Sequence, residues 1–170
     1  MMLLCGEAGV GKSRLLDEAL QAPEVARFAH VRATCLPGDA AEPYSLARTL
    51  VTAAGGNPDD LNISPAPEAE RQVRQVQQGL MVLLQEACGE QFLVVVDDVH
   101  WSDSASLQVL LVVALSAHPP FLLLSYRPEP LSPGLAAFLA EASRLRLATT
   151  IPLQSLSAAD TARMIRAILG

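Results

Sequence analysis

The sequence predicts an α/β domain with a parallel sheet between layers of helices and a phosphate-binding loop at its first strand-to-helix turn. Three observations predict it. The first is Gly6-Glu7-Ala8-Gly9-Val10-Gly11-Lys12-Ser13: a glycine, four free positions, then Gly-Lys-Ser. Apolar Met1 to Cys5 precede it as a strand would, and Arg14 to Gln21 follow with helical spacing, Leu15, Leu16, Ala19 and Leu20 forming a stripe. The second is Phe92-Leu93-Val94-Val95-Val96-Asp97-Asp98, an apolar run rich in β-branched residues. Strands of that kind are buried on both faces, which favours a parallel sheet. The third is composition: 51% apolar, 4% aromatic and rich in Ala and Leu, as for helices packed on an aliphatic sheet.

The loop has a physical logic. Glycines allow positive φ and bring backbone N–H groups close to an anion. The helix that starts near Lys12 aims its free N–H groups and positive dipole end at the same point. Gly6 to Arg14 is therefore the expected phosphate cradle. Lys12 adds a charge suited to the β- and γ-phosphates, and Ser13 a hydroxyl for Mg²⁺, a hard ion that prefers oxygen ligands. At average composition the pattern arises by chance at roughly one position in 25,000, and the chain has only 170 residues. Lys12 is also the sole lysine beside eleven arginines, kept where an ammonium and a guanidinium are not interchangeable. The competing reading is a glycine-rich turn with a solvated lysine.

At 170 residues the chain reads as one domain, 1–170, able to bury a real core. The net charge of −6, with no basic cluster, argues against direct contact with nucleic acid or an anionic membrane. Cys5, Cys35 and Cys88 lack metal-type spacing and read as reduced cysteines of a cytoplasmic protein. No apolar run approaches membrane-spanning length. Met1 to Cys5 is too short for a signal peptide. The strand abutting residue 6 and the helix-like end suggest a module cut from a longer protein.

In order, Phe28 to Cys35 reads as the second strand, with His30 packed or at an edge and a ligand role as the alternative, and Leu36 to Pro43 as a loop. Tyr44 to Ala54 reads as a helix facing inward through Leu46, Leu50 and Val51. Gly55 to Pro67 reads as a mobile surface excursion. Glu68 to Cys88 is a helix facing inward through Val73, Val76, Leu80, Leu83 and Leu84. The third strand ends in Asp97 and Asp98, at the sheet edge where open α/β sheets bind ligands. There Asp97 would hold Mg²⁺ through its water shell, and Asp98 would orient or deprotonate the attacking water. The alternative for the pair is a helix cap or loop.

Ser102-Asp103-Ser104 can cap a helix over Ala105 to Ala117; His100 and Trp101 lie between strand and cap, Trp101 reading as packing with a nucleotide contact as the alternative. Phe121 to Ser125 is the fourth strand and leads to Tyr126-Arg127-Pro128. Arg127 is placed to reach a γ-phosphate and stabilise charge during phosphoryl transfer, the alternative being a surface ion pair. A helix over Pro133 to Ser143, a fifth strand over Leu147 to Leu153 and a helix capped by Ser157 and Asp160 follow. Ala162, Ile165 and Leu169 share one side of that last helix.

Four stretches together resemble the signal-transduction ATPases with numerous domains, the STAND class, and above all the module of large LuxR-type regulators. They are residues 6–13, Val-Val-Val-Asp-Asp-Val-His-Trp-Ser-Asp at 94–103, Leu-Leu-Leu-Ser-Tyr-Arg-Pro-Glu at 122–129 and Leu-Gln-Ser-Leu-Ser at 153–157. The likeness spans essentially the whole chain. It implies a five-stranded parallel sheet in the order 5-1-4-3-2 and an ATP/ADP site with Mg²⁺. It also implies a slow ATPase switch that self-associates with ATP and works with further domains of the same polypeptide. Adenine rather than guanine comes from this resemblance.

Two other functions compete. One is a non-hydrolysing nucleotide-binding scaffold, because Asp98 is one methylene shorter than the glutamate many related ATPases use. The other is a small-molecule kinase, which would need a basic lid, yet neither Leu36 to Pro43 nor Gly55 to Pro67 contains an arginine or lysine.

Overall fold

A computed structural model of the chain describes residues 1–61, 63 and 69–169, with Ile168 described by its backbone alone. Five strands, β1 (Met2–Cys5), β2 (Ala29–Thr34), β3 (Phe92–Asp97), β4 (Phe121–Tyr126) and β5 (Thr149–Pro152), form one all-parallel sheet. Its order is β2-β3-β4-β1-β5, which read from the other edge is the expected 5-1-4-3-2.

Alternation along the strands divides the core in two. On one face Val94, Val96, Leu122 and Leu124 pack against α3 (Ser45–Ala53), α4 (Ala69–Cys88), α5 (Ser104–Ala114) and α6 (Pro133–Arg144). On the other face Leu4, Leu93, Val95 and Leu123 meet Leu16 of α1 (Lys12–Gln21), with Leu20, Val25 and Phe28 beside them. The α1 stripe is narrower than its spacing predicts: Leu16 is fully buried while Leu15 is exposed. A short helix absent from the sequence reading, α2 (Pro23–Ala26), follows α1, with proline in its first turn where the missing N–H costs nothing.

Two expectations are revised. Gly55 to Pro67 is not wholly a surface excursion. A 3₁₀ turn over Pro58–Leu61 drives Leu61 into the main core, while Asn62 and 64–68 lie outside the described residues. In α4, Met81 is buried and Leu83 only partly so.

The last helix, α7 (Ala158–Leu169), has no buried residue among its described side chains, and Met164, Ile165 and Leu169 are exposed. Its start follows the reading: the Ser157 hydroxyl accepts from the Asp160 N–H and donates to the Asp160 carboxylate. No described helix is long and apolar enough to cross a membrane.

Candidate functional site

Parallel order decides where the chemistry collects. β3, β4 and β1 are neighbours, and their carboxyl ends lead into Asp98, Arg127 and the phosphate loop. The Gly6 N–H donates to the Tyr126 carbonyl at 3.2 Å, so Arg127 begins one residue from the bond that ties the loop to β4.

Within the loop, Gly9 and Gly11 have φ of 76° and 102°, values that favour glycine. Gly6 is needed for a different reason. A Cβ there would lie 2.8 Å from Val10 Cγ1 and 3.0 Å from the Leu153 carbonyl oxygen. Gly11 is the N-cap of α1 and supplies no side-chain acceptor. Outside the helix and strand ladders, only Gly6 and Val10 of the loop donate to described carbonyls. The N–H groups of Ala8, Gly9, Gly11, Lys12 and Ser13 are thus left to bind an anion.

Lys12 is buried, and its ammonium donates to the Gly6 carbonyl at 2.8 Å and the Glu7 carbonyl at 2.9 Å. An ammonium carries three donors, so one remains for a phosphate oxygen. Ser13 is exposed in the first turn of α1. The guanidinium of Arg14 turns away along the helix to pair with Glu18 at 2.6 Å, leaving only its backbone near the loop. Glu7, Ala8 and Gly9 are exposed at the loop's crest, and Val10 is half-buried.

Asp97 ends β3 and is buried. One carboxylate oxygen accepts from the Ser125 hydroxyl of β4, and the other lies 3.5 Å from Arg32 of β2, which also pairs with Asp17 of α1. Three strands therefore hold this one carboxylate. Asp98 follows in the left-handed region, φ 56° and ψ 42°, a conformation that Asp tolerates better than most residues. Its N–H donates to Ser125 Oγ at 2.9 Å and Asp97 Oδ1 at 3.1 Å. Ser125 and Arg32 were missed in the sequence. The available signal for Ser125 was a lone hydroxyl in an otherwise apolar strand, where a polar group needs a partner.

His100 packs beside Asp98, its Nδ1 3.7 Å from Asp98 Oδ1, and its ring lies 4.9 Å from that of Trp101. Burial holds the His100 pKa below its ordinary 6.5, helped by the Arg127 and Lys12 charges and opposed by Asp98 and Asp97. The Arg127 Nε is buried without a hydrogen-bond partner.

Asp103 is structural. Buried, it caps α5 by accepting from the Ser106 N–H at 2.8 Å, and it also accepts from the Tyr44 N–H at 3.0 Å. The latter fixes the left-handed Tyr44 at the start of α3. Cys35, buried and near Asp39, Asp103 and Asp98, has its thiol pKa pushed up to about 12 and is unreactive at neutral pH. His30 sits exposed on the β2 edge strand.

Among the described residues no cluster of three or more His, Cys, Asp or Glu could hold a metal alone. A hydroxyl and a carboxylate at one edge of the sheet instead fit a cation that keeps its waters and shares phosphate oxygens, as Mg²⁺ does. A groove of about 1110 Å³ lies at the other end of the sheet, lined by Phe28, Val82, Phe92 and Phe121 among others. It sits at the amino ends of β3 and β4, away from the loop and its donors.

Comparisons with known proteins bear on the family and the fold. Residues 1–125 match the AAA ATPase domain family. No curated protein matches the chain. Among solved structures it is similar to a chain of Drosophila ORC bound to AT-rich DNA and Cdc6, at 13% identity and a TM-score of 0.50. It is equally similar, at 12% identity and a TM-score of 0.50, to a chain of Drosophila ORC bound to GC-rich DNA and Cdc6. Each match covers 91% of this chain and about half of the other, 49% and 50%. At such identity the likeness speaks for the fold. With the match covering residues 1–125, the chain belongs to the AAA ATPase domain family.

Proposed function

We propose that this domain binds Mg-ATP at the phosphate loop, hydrolyses it slowly and acts as a nucleotide switch in a signalling or transcriptional regulator. One observation carries the reading: Lys12, Asp97 with Ser125, and Arg127 converge at the carboxyl ends of three adjacent strands. Residues 1–170 act in this reading as one module of a larger polypeptide. ATP-dependent self-association and contacts with further domains belong to the same proposal, supported by the four stretches that resemble the STAND class.

Each residue has a stated task. Residues Gly6 to Arg14 form the phosphate cradle, in which the N–H groups of Ala8, Gly9, Gly11, Lys12 and Ser13 bind the phosphates, and Lys12 adds charge at the β- and γ-positions. Ser13 and Asp97 hold Mg²⁺, with Ser125 and Arg32 orienting the Asp97 carboxylate. Asp98 aims the attacking water, and Arg127 stabilises charge on the γ-phosphoryl oxygens. When bound, Mg-ATP supplies the transferable phosphoryl group and the metal's charge neutralisation. A positively charged Arg127 with an unpaired buried N–H is suited to an anionic acceptor.

The test is titration calorimetry with ATP and ADP in the presence of Mg²⁺, with phosphate release followed in the same sample. Binding of both with slow release supports the switch. Binding with no release supports a scaffold, and no binding at all sinks the proposal.

A further inference from the structure

Both ring nitrogens of His100 lack a hydrogen-bond partner, although its side chain is only 7% exposed. A buried polar atom left unpaired costs about 1–3 kcal/mol, and native structures rarely retain one without a use. The imidazole stands in the 3₁₀ turn Val99–Trp101, directly after Asp98. That turn is fixed at both ends. The Trp101 N–H donates to the Asp98 carbonyl and the Ser102 N–H to the Val99 carbonyl, each at 3.0 Å. Val99 is fully buried beneath it. The backbones of Asp98 and His100 are therefore tied together in one turn, while their side chains stand with Nδ1 3.7 Å from Oδ1. That is about 0.7 Å beyond hydrogen-bond length.

The groups around the ring define its part. Asp98 is an acceptor. Arg127, whose charge acts on the ring, carries a buried Nε–H that is also without a partner. A neutral imidazole offers one donor and one acceptor. It can donate from Nδ1 to Asp98 while Nε2 accepts an N–H or a water on the phosphate side. Serving only as packing would leave three buried polar atoms unpaired at one sheet edge.

We propose that His100 is a positioning residue for hydrolysis: its Nδ1–H closes on Asp98 when nucleotide is bound and holds that carboxylate aimed at the attacking water. The inference rests on the ATPase reading and on Asp98 as the water-positioning group. In this proposal His100 acts through Asp98 and not on the nucleotide, so its removal spares binding and slows turnover.

The experiment compares wild type, His100→Ala, His100→Asn and His100→Gln, each for Mg-ATP and Mg-ADP affinity and for single-turnover phosphate release. His100→Ala is expected to keep both affinities within about threefold and to lower the release rate by about 100-fold, the scale of a 1 Å misplacement of a reacting group. An Asn amide reaches the place of Nδ1 and a Gln amide that of Nε2. His100→Asn should therefore recover most of the rate and His100→Gln should not, a contrast that stands even where the alanine variant does not fold. In an Asp98→Asn background, His100→Ala should add no further loss. Equal release from His100→Ala and wild type overturns the inference while leaving the ATPase reading intact. So does equal rescue by Asn and Gln, or losses at His100 and Asp98 that multiply. A wild type that binds no ATP, or never releases phosphate, brings down the ATPase reading and this inference with it.

Discussion

Ser125→Ala tests the joint between β3 and β4 that steadies the site. The Ser125 hydroxyl is fully buried, donates to Asp97 and accepts from the Asp98 N–H at 2.9 Å. Removing it deletes one charge-assisted hydrogen bond, about 1.5–3 kcal/mol, and weakens a neutral one, about 0.5–1.5 kcal/mol. The second loss is partial, because the Asp98 N–H keeps Asp97 Oδ1 at 3.1 Å. Asp97 keeps Arg32, but at 3.5 Å. The expected destabilisation is about 2–4 kcal/mol, which at an m-value of about 2 kcal/mol/M lowers the urea midpoint by about 1–2 M. The assay is equilibrium urea unfolding without nucleotide, run as a double-mutant cycle with Asp97→Ala. A coupling of at least about 1 kcal/mol is expected between the two positions. A loss under about 0.5 kcal/mol for Ser125→Ala, or strict additivity with Asp97→Ala, refutes the reasoning.

Three further outcomes are expected. Leu61→Ala should cost about 2–5 kcal/mol in urea unfolding, the range for a buried leucine, because Leu61 belongs to the main core; a surface-like loss under about 0.5 kcal/mol contradicts its placement. Arg127→Ala should leave Mg-ADP affinity within about threefold and weaken Mg-ATP by tenfold or more, about 1.4 kcal/mol; an equal loss for both nucleotides removes the γ-phosphate role. The lowered pKa of His100 means that the unfolded chain takes up its proton first as pH falls below the ordinary 6.5. Stability from the neutral buried ring is therefore lost on acidification. Urea midpoints between about pH 7 and about pH 5 should fall less for His100→Asn than for wild type; parallel lines refute the assignment.

Much of the architecture was legible because it rests on local patterns. Leu93 to Val96 and Leu122 to Leu124 are apolar on consecutive positions, as a short strand covered on both faces requires. The positions of the glycine loop after β1 and of Asp97-Asp98 at the end of β3 were legible, since each lies in contiguous residues. Partners brought together by strand order were not. Ser125 meets Asp97, and Arg32 reaches both Asp97 and Asp17, only because β2, β3 and β4 are neighbours. Asp103 reads as a helix cap in sequence, yet it also fixes Tyr44, 59 positions away. Leu61 was hidden because a single leucine among Gly, Pro, Asn and Asp carries no periodicity, and its burial comes from a 3₁₀ turn packed beneath α3 and α4. His100 carried no role in the sequence, lying between strand and cap; its significance lies in two nitrogens left without partners, which no sequence pattern encodes.

The most direct measurement is calorimetric titration of wild type and Lys12→Ala with Mg-ATP, the fold of each checked by circular dichroism. Lys12 donates to the Gly6 and Glu7 carbonyls, so it both shapes the loop and charges it. The account expects wild type to bind and Lys12→Ala to lose about 100-fold or more in affinity, about 2.8 kcal/mol. Equal affinity in two equally folded proteins would mean that the nucleotide sits elsewhere, and would contradict the site.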